Sequence, residues 1–154
     1  MNAPLDADGS PGEGVTVRRY EPRDRAAALA LIRRESAIDA PTSRILISDD
    51  GEGVALWIEP AAGDTAHLWL VRTKTPNRRF FYQLIRAACI DAMDAGFTQA
   101  EFVVTDRRTV SMIRRDFTAP IEIYGRNGDT QRPTSWMVHV ALADVLPQLD
   151  ARIA

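Results

Sequence analysis

Between Ala66 and Phe97 the chain reads as a strand, a short loop and a long helix, and this unit restricts what the rest can form. Ala66-His67-Leu68-Trp69-Leu70-Val71 is apolar and partly aromatic, the make-up of a buried strand. Arg72-Thr73-Lys74 ends the run. Thr75 offers an N-cap hydroxyl, and Pro76 follows at the first helical position, where a missing N–H costs little. Phe81, Leu84, Ile85, Ala88, Ala92 and Ala95 then recur three to four apart and mark one apolar helix face. Gly96 stands where a left-handed cap is needed, and Phe97 is placed to pack back on the helix. A strand that runs straight into a helix N-terminus gathers backbone N–H groups and the positive end of the helix dipole at one spot. Such a spot favours anions, phosphates above all.

The flanking sequence extends the pattern. Val15 to Tyr20 alternates as a first strand, and Pro22 opens a helix expected from about Arg23 to Ser36. Ala37 to Ser43, with Pro41, reads as a connector with little room for a second helix. Arg44–Ser48 and Val54–Ile58 are strands joined by Asp49-Asp50-Gly51-Glu52-Gly53, and with Ala66–Val71 they predict a three-stranded antiparallel meander. Ala100–Val104 follows the long helix, so it is expected to lie parallel to Ala66–Val71 through a right-handed crossover. Asp106 can cap a helix over Arg107–Phe117. Two strands follow, Ile121–Tyr124 and Trp136–Leu142, around a long polar turn from Gly125 to Pro133. Asp144 begins a C-terminal segment expected to be short, because Pro147 falls in its first turns. The fold class is therefore α/β, a single twisted mixed sheet with helices on both faces.

Composition narrows the function. A chain of 154 residues with 45% hydrophobic residues suits one domain with one substantial core, here 15–154. The net charge of −2 argues against a generally basic nucleic-acid binder. No apolar run approaches the ~20 residues of a membrane span. Residues 1–14 hold Pro4, Gly9, Pro11, Gly12 and Gly14 without a signal peptide's basic and apolar regions, and are expected to be a disordered leader. The lone cysteine, Cys89, sits among apolar helix residues and reads as a small buried thiol. Lack of a disulfide framework fits a reducing, cytoplasmic setting. Two histidines and one cysteine, far apart, offer no metal-ligand spacing.

The order of elements, with these lengths, resembles the GNAT superfamily of N-acetyltransferases from Val15 to about Leu142. The resemblance is carried by Val17-Arg18-Arg19-Tyr20-Glu21-Pro22-Arg23-Asp24 at the first strand and helix, by Asp94-Ala95-Gly96-Phe97 closing the long helix, and by Asp116-Phe117 near the family's usual Gly-Phe. It implies acyl-coenzyme A, typically acetyl-coenzyme A, as co-substrate in a cleft where the fourth and fifth strands part. By this resemblance Trp69, Leu70, Val71 and Arg72 line the pantetheine arm, and Pro76, Asn77, Arg78, Arg79, Phe80 and Phe81 form the pyrophosphate loop. The family's loop carries small residues, but here no glycine lies between Gly63 and Gly96, and Asn77, Arg79 and Phe81 occupy those places. Arg72, Lys74, Arg78 and Arg79 offer side-chain charge in exchange.

The family's usual general base, a carboxylate on the fourth strand, corresponds to Thr65. His67, two residues on and on the same strand face, is the base candidate. The usual acidic tyrosine corresponds to Ser111-Met112, which leaves Tyr124 on the next strand as the candidate acid. Tyr82 and His139 read as structural. The function implied is transfer of an acyl group to a small-molecule or macromolecular amine. The alternative is a degenerate GNAT-fold binding module. It would engage nucleic acid through Arg78, Arg79, Arg107, Arg108, Arg114 and Arg115, or a protein partner or second copy through aromatics such as Trp57 and Trp136 at a sheet edge.

Overall fold

Apolar residues on both faces of the central strands call for a sheet covered on both sides, and that is the arrangement found. The computed structural model describes residues 15–118, 121–129 and 132–154; the expected leader lies outside them. The strands are β1 (Val17–Arg19), β2 (Ser43–Ser48), β3 (Gly53–Ile58), β4 (Thr65–Thr73), β5 (Gln99–Val104), β6 (Ile121–Asp129) and β7 (Arg132–Ala141). The helices are α1 (Arg25–Ile32), α2 (Glu35–Asp39), α3 (Arg78–Asp94), α4 (Arg107–Asp116) and α5 (Leu142–Ile153). The described strands form one seven-stranded sheet in the order β1-β2-β3-β4-β5-β7-β6. Among the described strands only β4 and β5 pair in parallel, as a crossover through α3 requires.

Alternation sorts the strands into two cores. Ile45, Ile47, Val54 and Leu56 face α1 and α2. Leu46, Ala55, Trp57, Ala66, Leu68, Ala100, Val138 and Val140 face α3, α4 and α5. Because successive residues of β2 and β3 are buried on opposite sides, these strands read as unbroken apolar runs. A buried polar strut locks α3 to the sheet: Asp91 accepts from Trp57 Nε1 at 2.9 Å and from Arg19 Nε at 2.8 Å.

Several expected boundaries move, each for a physical reason. The cap of α3 is Asn77, whose side chain accepts from the Phe80 amide at 2.9 Å, so Thr75 and Pro76 precede the helix. The helix expected to run to Ser36 stops at Ile32, after a short 3-10 turn over Pro22–Asp24. Arg33 turns left-handed at φ 60°, and Arg72 Nη1 bonds the Leu31 carbonyl at 2.8 Å, in place of the amide a continuing helix would bring. The expected connector then begins with α2 instead. The polar turn after Tyr124 is mostly strand, with β6 and β7 paired out to Asp129 and Arg132. The helix α5 runs twelve residues despite Pro147. Its buried Leu142, Val145 and Leu149 hold it against the core, where packing outweighs one missing backbone bond.

Other expectations are met. Gly96 has φ 100°, and the Gly96 and Phe97 amides bond Met93 and Ala92 carbonyls at 2.9 and 3.1 Å, closing α3 in a Schellman turn. Asp106 caps α4 by accepting from the Arg108 amide at 3.1 Å. Cys89 is buried. Trp57 and Trp136 are also buried, so neither supplies the exposed aromatic edge considered for a partner.

Candidate active site

The central feature is a fork in the sheet. Pairing of β4 with β5 ends at Leu68 and Phe102. Beyond it, β4 stays bonded to β3 as far as Thr73 opposite Gly53, whereas β5 follows β7 to Val104 opposite Trp136. The strands therefore part, and among the described residues the backbone groups of Trp69 to Arg72 on the β5 side have no strand partner. A bulge sharpens the divergence. Leu56 faces Leu70 and Trp57 faces Leu68, so Trp69 is the extra residue and the side-chain alternation of β4 reverses there. Leu68 and Val71 join the α3 core, while Trp69 and Leu70 pack toward α1.

The fork opens into a cleft of about 270 Å³ lined by Leu68–Arg72, Phe81, Ile85, Phe102–Asp106 and Thr109. The first turn of α3 stands at its edge. Asn77 satisfies the Phe80 amide, and helix geometry leaves the amides of Arg78 and Arg79 without intrahelical partners. Phe80 does not enter the cleft. It is 4% exposed and lies under the β2–β3 hairpin, where a Cβ on Gly53 would come within 2.7 Å of its ring. A separate void of about 30 Å³ between α3, α5 and the sheet has an apolar lining and room for about one water, so it is a packing gap.

The predicted residues divide into those at the cleft and those elsewhere. Trp69, Leu70, Val71, Arg72 and Phe81 line it. The guanidinium of Arg72, however, bonds the end of α1, and that of Arg79 bonds the Ile153 carbonyl at the end of α5. Arg78 lies 3.6 Å from the Asp116 carboxylate. His67 is on the last rung but one below the fork, with Nδ1 3.8 Å from Glu101 Oε1. Tyr124 is half exposed on β6, with β5 and β7 between it and β4, roughly 14 Å across three strand spacings. The sheet does not bring it to His67. His139 bonds Gln99 at 3.1 Å.

Two features were not legible in sequence. One is the elbow between α1 and α2, where Arg34 lies over the Trp69 ring at 5.3 Å and covers the bulge from the other face. The other is Asp116, a buried carboxylate that accepts from Tyr82 at 2.7 Å. Burial pushes Asp116 up, but the Tyr82 hydroxyl and the guanidiniums of Arg115 and Arg78 outweigh it and hold the group below the usual carboxylate range. Burial, then Asp116 beside it, pushes the Tyr82 phenol well above its ordinary value. Nothing but the Asp-Phe pair after a helix marked Asp116 in the sequence.

One mixed sheet, forked beside its parallel pair and covered by helices on both faces, defines the class. Within that class the chain has the GNAT fold. No family model matches it, and no curated protein matches it in sequence. Solved structures do. A Bacillus subtilis acetyltransferase in complex with coenzyme A superposes with a TM-score of 0.60 at 11% identity, over 82% of this chain and 98% of that one. A GNAT-family protein from Desulfovibrio desulfuricans gives 0.62 at 15% identity over 84% and 99%. The ribosomal-protein-S18-alanine N-acetyltransferase of Escherichia coli gives 0.63 at 11% identity over 83% and 94%. Among the described residues, no helix is long and apolar enough to cross a membrane.

Proposed function

We propose that the chain transfers an acyl group from acyl-coenzyme A, typically acetyl-coenzyme A, to an amine. The observation that carries this is the fork: free strand edges meet the tip of α3 in a fold whose B. subtilis neighbour was crystallised with coenzyme A. The residues present leave room for such a ligand: Phe80 is turned into the core, Phe81 forms part of the cleft wall, and the unpaired edge of β4 can bond an extended amide chain.

Bound acyl-coenzyme A supplies an activated thioester carbonyl. Trp69, Leu70, Val71 and Arg72 orient the arm, and a backbone N–H near Val71 donates to the carbonyl oxygen. The N-terminal amides of α3 and the Arg78 guanidinium meet the phosphates, while Asn77 holds that turn in shape and Phe81 walls the cleft. Arg79 contributes its amide alone. His67 takes the proton released by the amine, and Glu101, 3.8 Å from its Nδ1, stands opposite the charge that results. Much of the rate comes from holding a neutral amine against the carbonyl. The acceptor approaches over the sheet face that carries His67, and a lone buried thiol suits a reducing, cytoplasmic setting.

One observation favours a binding module instead: the Arg72 and Arg79 guanidiniums are tied to backbone carbonyls. Calorimetry with acetyl-coenzyme A separates the two. Heat and a raised melting temperature support the enzyme reading, and silence at millimolar ligand supports the module. Turnover that survives His67→Ala removes that residue from the chemistry.

A further inference from the structure

We infer that Arg78, Arg115 and Arg152, gathered over Asp116, form a second anion site beside the α3 tip, one that takes a phosphomonoester. The inference rests on the acyl-coenzyme A reading, because that ligand carries a phosphomonoester separate from its pyrophosphate.

Three helices meet at this point: the start of α3, the end of α4 and the end of α5. The Asp116 side chain beneath them is 3% exposed. Arg115 Nε bonds it at 3.3 Å, whereas Arg78 Nη1 and Arg152 Nη1 stand at 3.6 and 3.9 Å, held by charge. The three arginine side chains are 56%, 64% and 46% exposed, so the cluster is open to solvent.

In the other ion pairs among the described residues each carboxylate meets a single cation, as Asp39 with Arg25, Glu59 with Arg44 and Asp150 with Arg86, and Arg18 has two carboxylates. Here three cations share one carboxylate that Tyr82 already satisfies, leaving a local charge of +2 in a protein whose net charge is −2. Packing three like charges together is unfavourable on its own, and a phosphate dianion matches the surplus in charge and in geometry. Arg78 opens the first turn of α3, one helical turn from Phe81 in the cleft wall. With no glycine in the tip loop, this cluster supplies charge where the backbone approach is restricted.

The test compares coenzyme A with 3′-dephospho-coenzyme A by calorimetry on the full chain. The wild type is expected to bind coenzyme A roughly tenfold tighter or more. In the double variant Arg115→Gln with Arg152→Gln, coenzyme A should weaken to the level of the dephospho form, whose affinity stays within about twofold. Equal affinity of both ligands for the wild type overturns the inference and leaves the acyl-coenzyme A reading standing. Equal weakening of both in the double variant also overturns it, since the arginines then serve the fold or the pyrophosphate. Binding of neither ligand to the wild type overturns both readings. The wild-type comparison stands whether or not the variant folds.

Discussion

The thiol of Cys89 shows what burial does to one residue. Enclosed in the α3 core, it is pushed up to about 12, so almost no thiolate exists at neutral pH. An aromatic disulfide reagent should leave the folded protein unmodified and titrate one thiol after denaturation. Fast labelling without denaturant would mean the α3 packing opens. Asp24 shows the opposite case. The Arg18 guanidinium, bonded at 2.8 and 2.9 Å, holds it down at about 2, against burial and with help from the Glu21 amide. Its folded value lies below its unfolded one. It therefore adds stability that is full above about pH 4 and disappears as pH falls toward 2. The gap in urea midpoint between wild type and Asp24→Asn should close over that window; a constant gap would assign the effect to packing. Asp116→Ala should cost about 1–3 kcal/mol by leaving the buried Tyr82 hydroxyl without an acceptor, and Asp116→Asn, which can still accept, should cost less.

At the scale of elements, what sequence made legible follows from how local the cause was. The Schellman turn at Gly96 and the cap at Asp106 depend on neighbouring residues, and both were readable. The α3 cap shows the limit. Thr75 and Asn77 are both capable caps, and only the backbone decides for Asn77, extended at φ −156°. Asn77→Ala should cost about 1 kcal/mol, and Thr75→Ala much less, by chemical denaturation. The end of α1 was not readable, because Arg72, 41 residues downstream, takes the Leu31 carbonyl. The length of α5 likewise depends on contacts with α3 that Pro147 conceals. The site followed the same rule. The cleft-lining strand was found from its apolar run and its place before the helix. The bulge at Trp69, the buried turn of Phe80 and the cluster on Asp116 each depend on partners distant in sequence. Tyr124 follows from the resemblance and its place on the strand after α4, and β7 stands between it and β5, the wall of the cleft.

As a whole the molecule is two half-sheets joined by a short parallel ladder of four rungs, Thr65 to Leu68 with Gln99 to Phe102, and bridged by α3. The fork exists because each half keeps its own antiparallel partner to the end, β3 for β4 and β7 for β5. A ligand laid along the free edge of β4 completes the hydrogen bonds the fork leaves open and ties the halves together. Ligand at a hundred times its dissociation constant adds about 2.7 kcal/mol, or roughly 5–10 °C in Tm for a chain of this size. Hydrogen exchange localises that gain. Without ligand, cleft-facing amides among Trp69–Arg72 should exchange faster than the paired amides of Thr65–Leu68, since no strand protects them. With acetyl-coenzyme A, protection should rise first at Trp69–Arg72 and at Arg78–Arg79, beyond any increase in β1, β2 and α2. A rise spread evenly over the chain would place the ligand elsewhere, because binding outside the fork stabilises the fold without closing that edge.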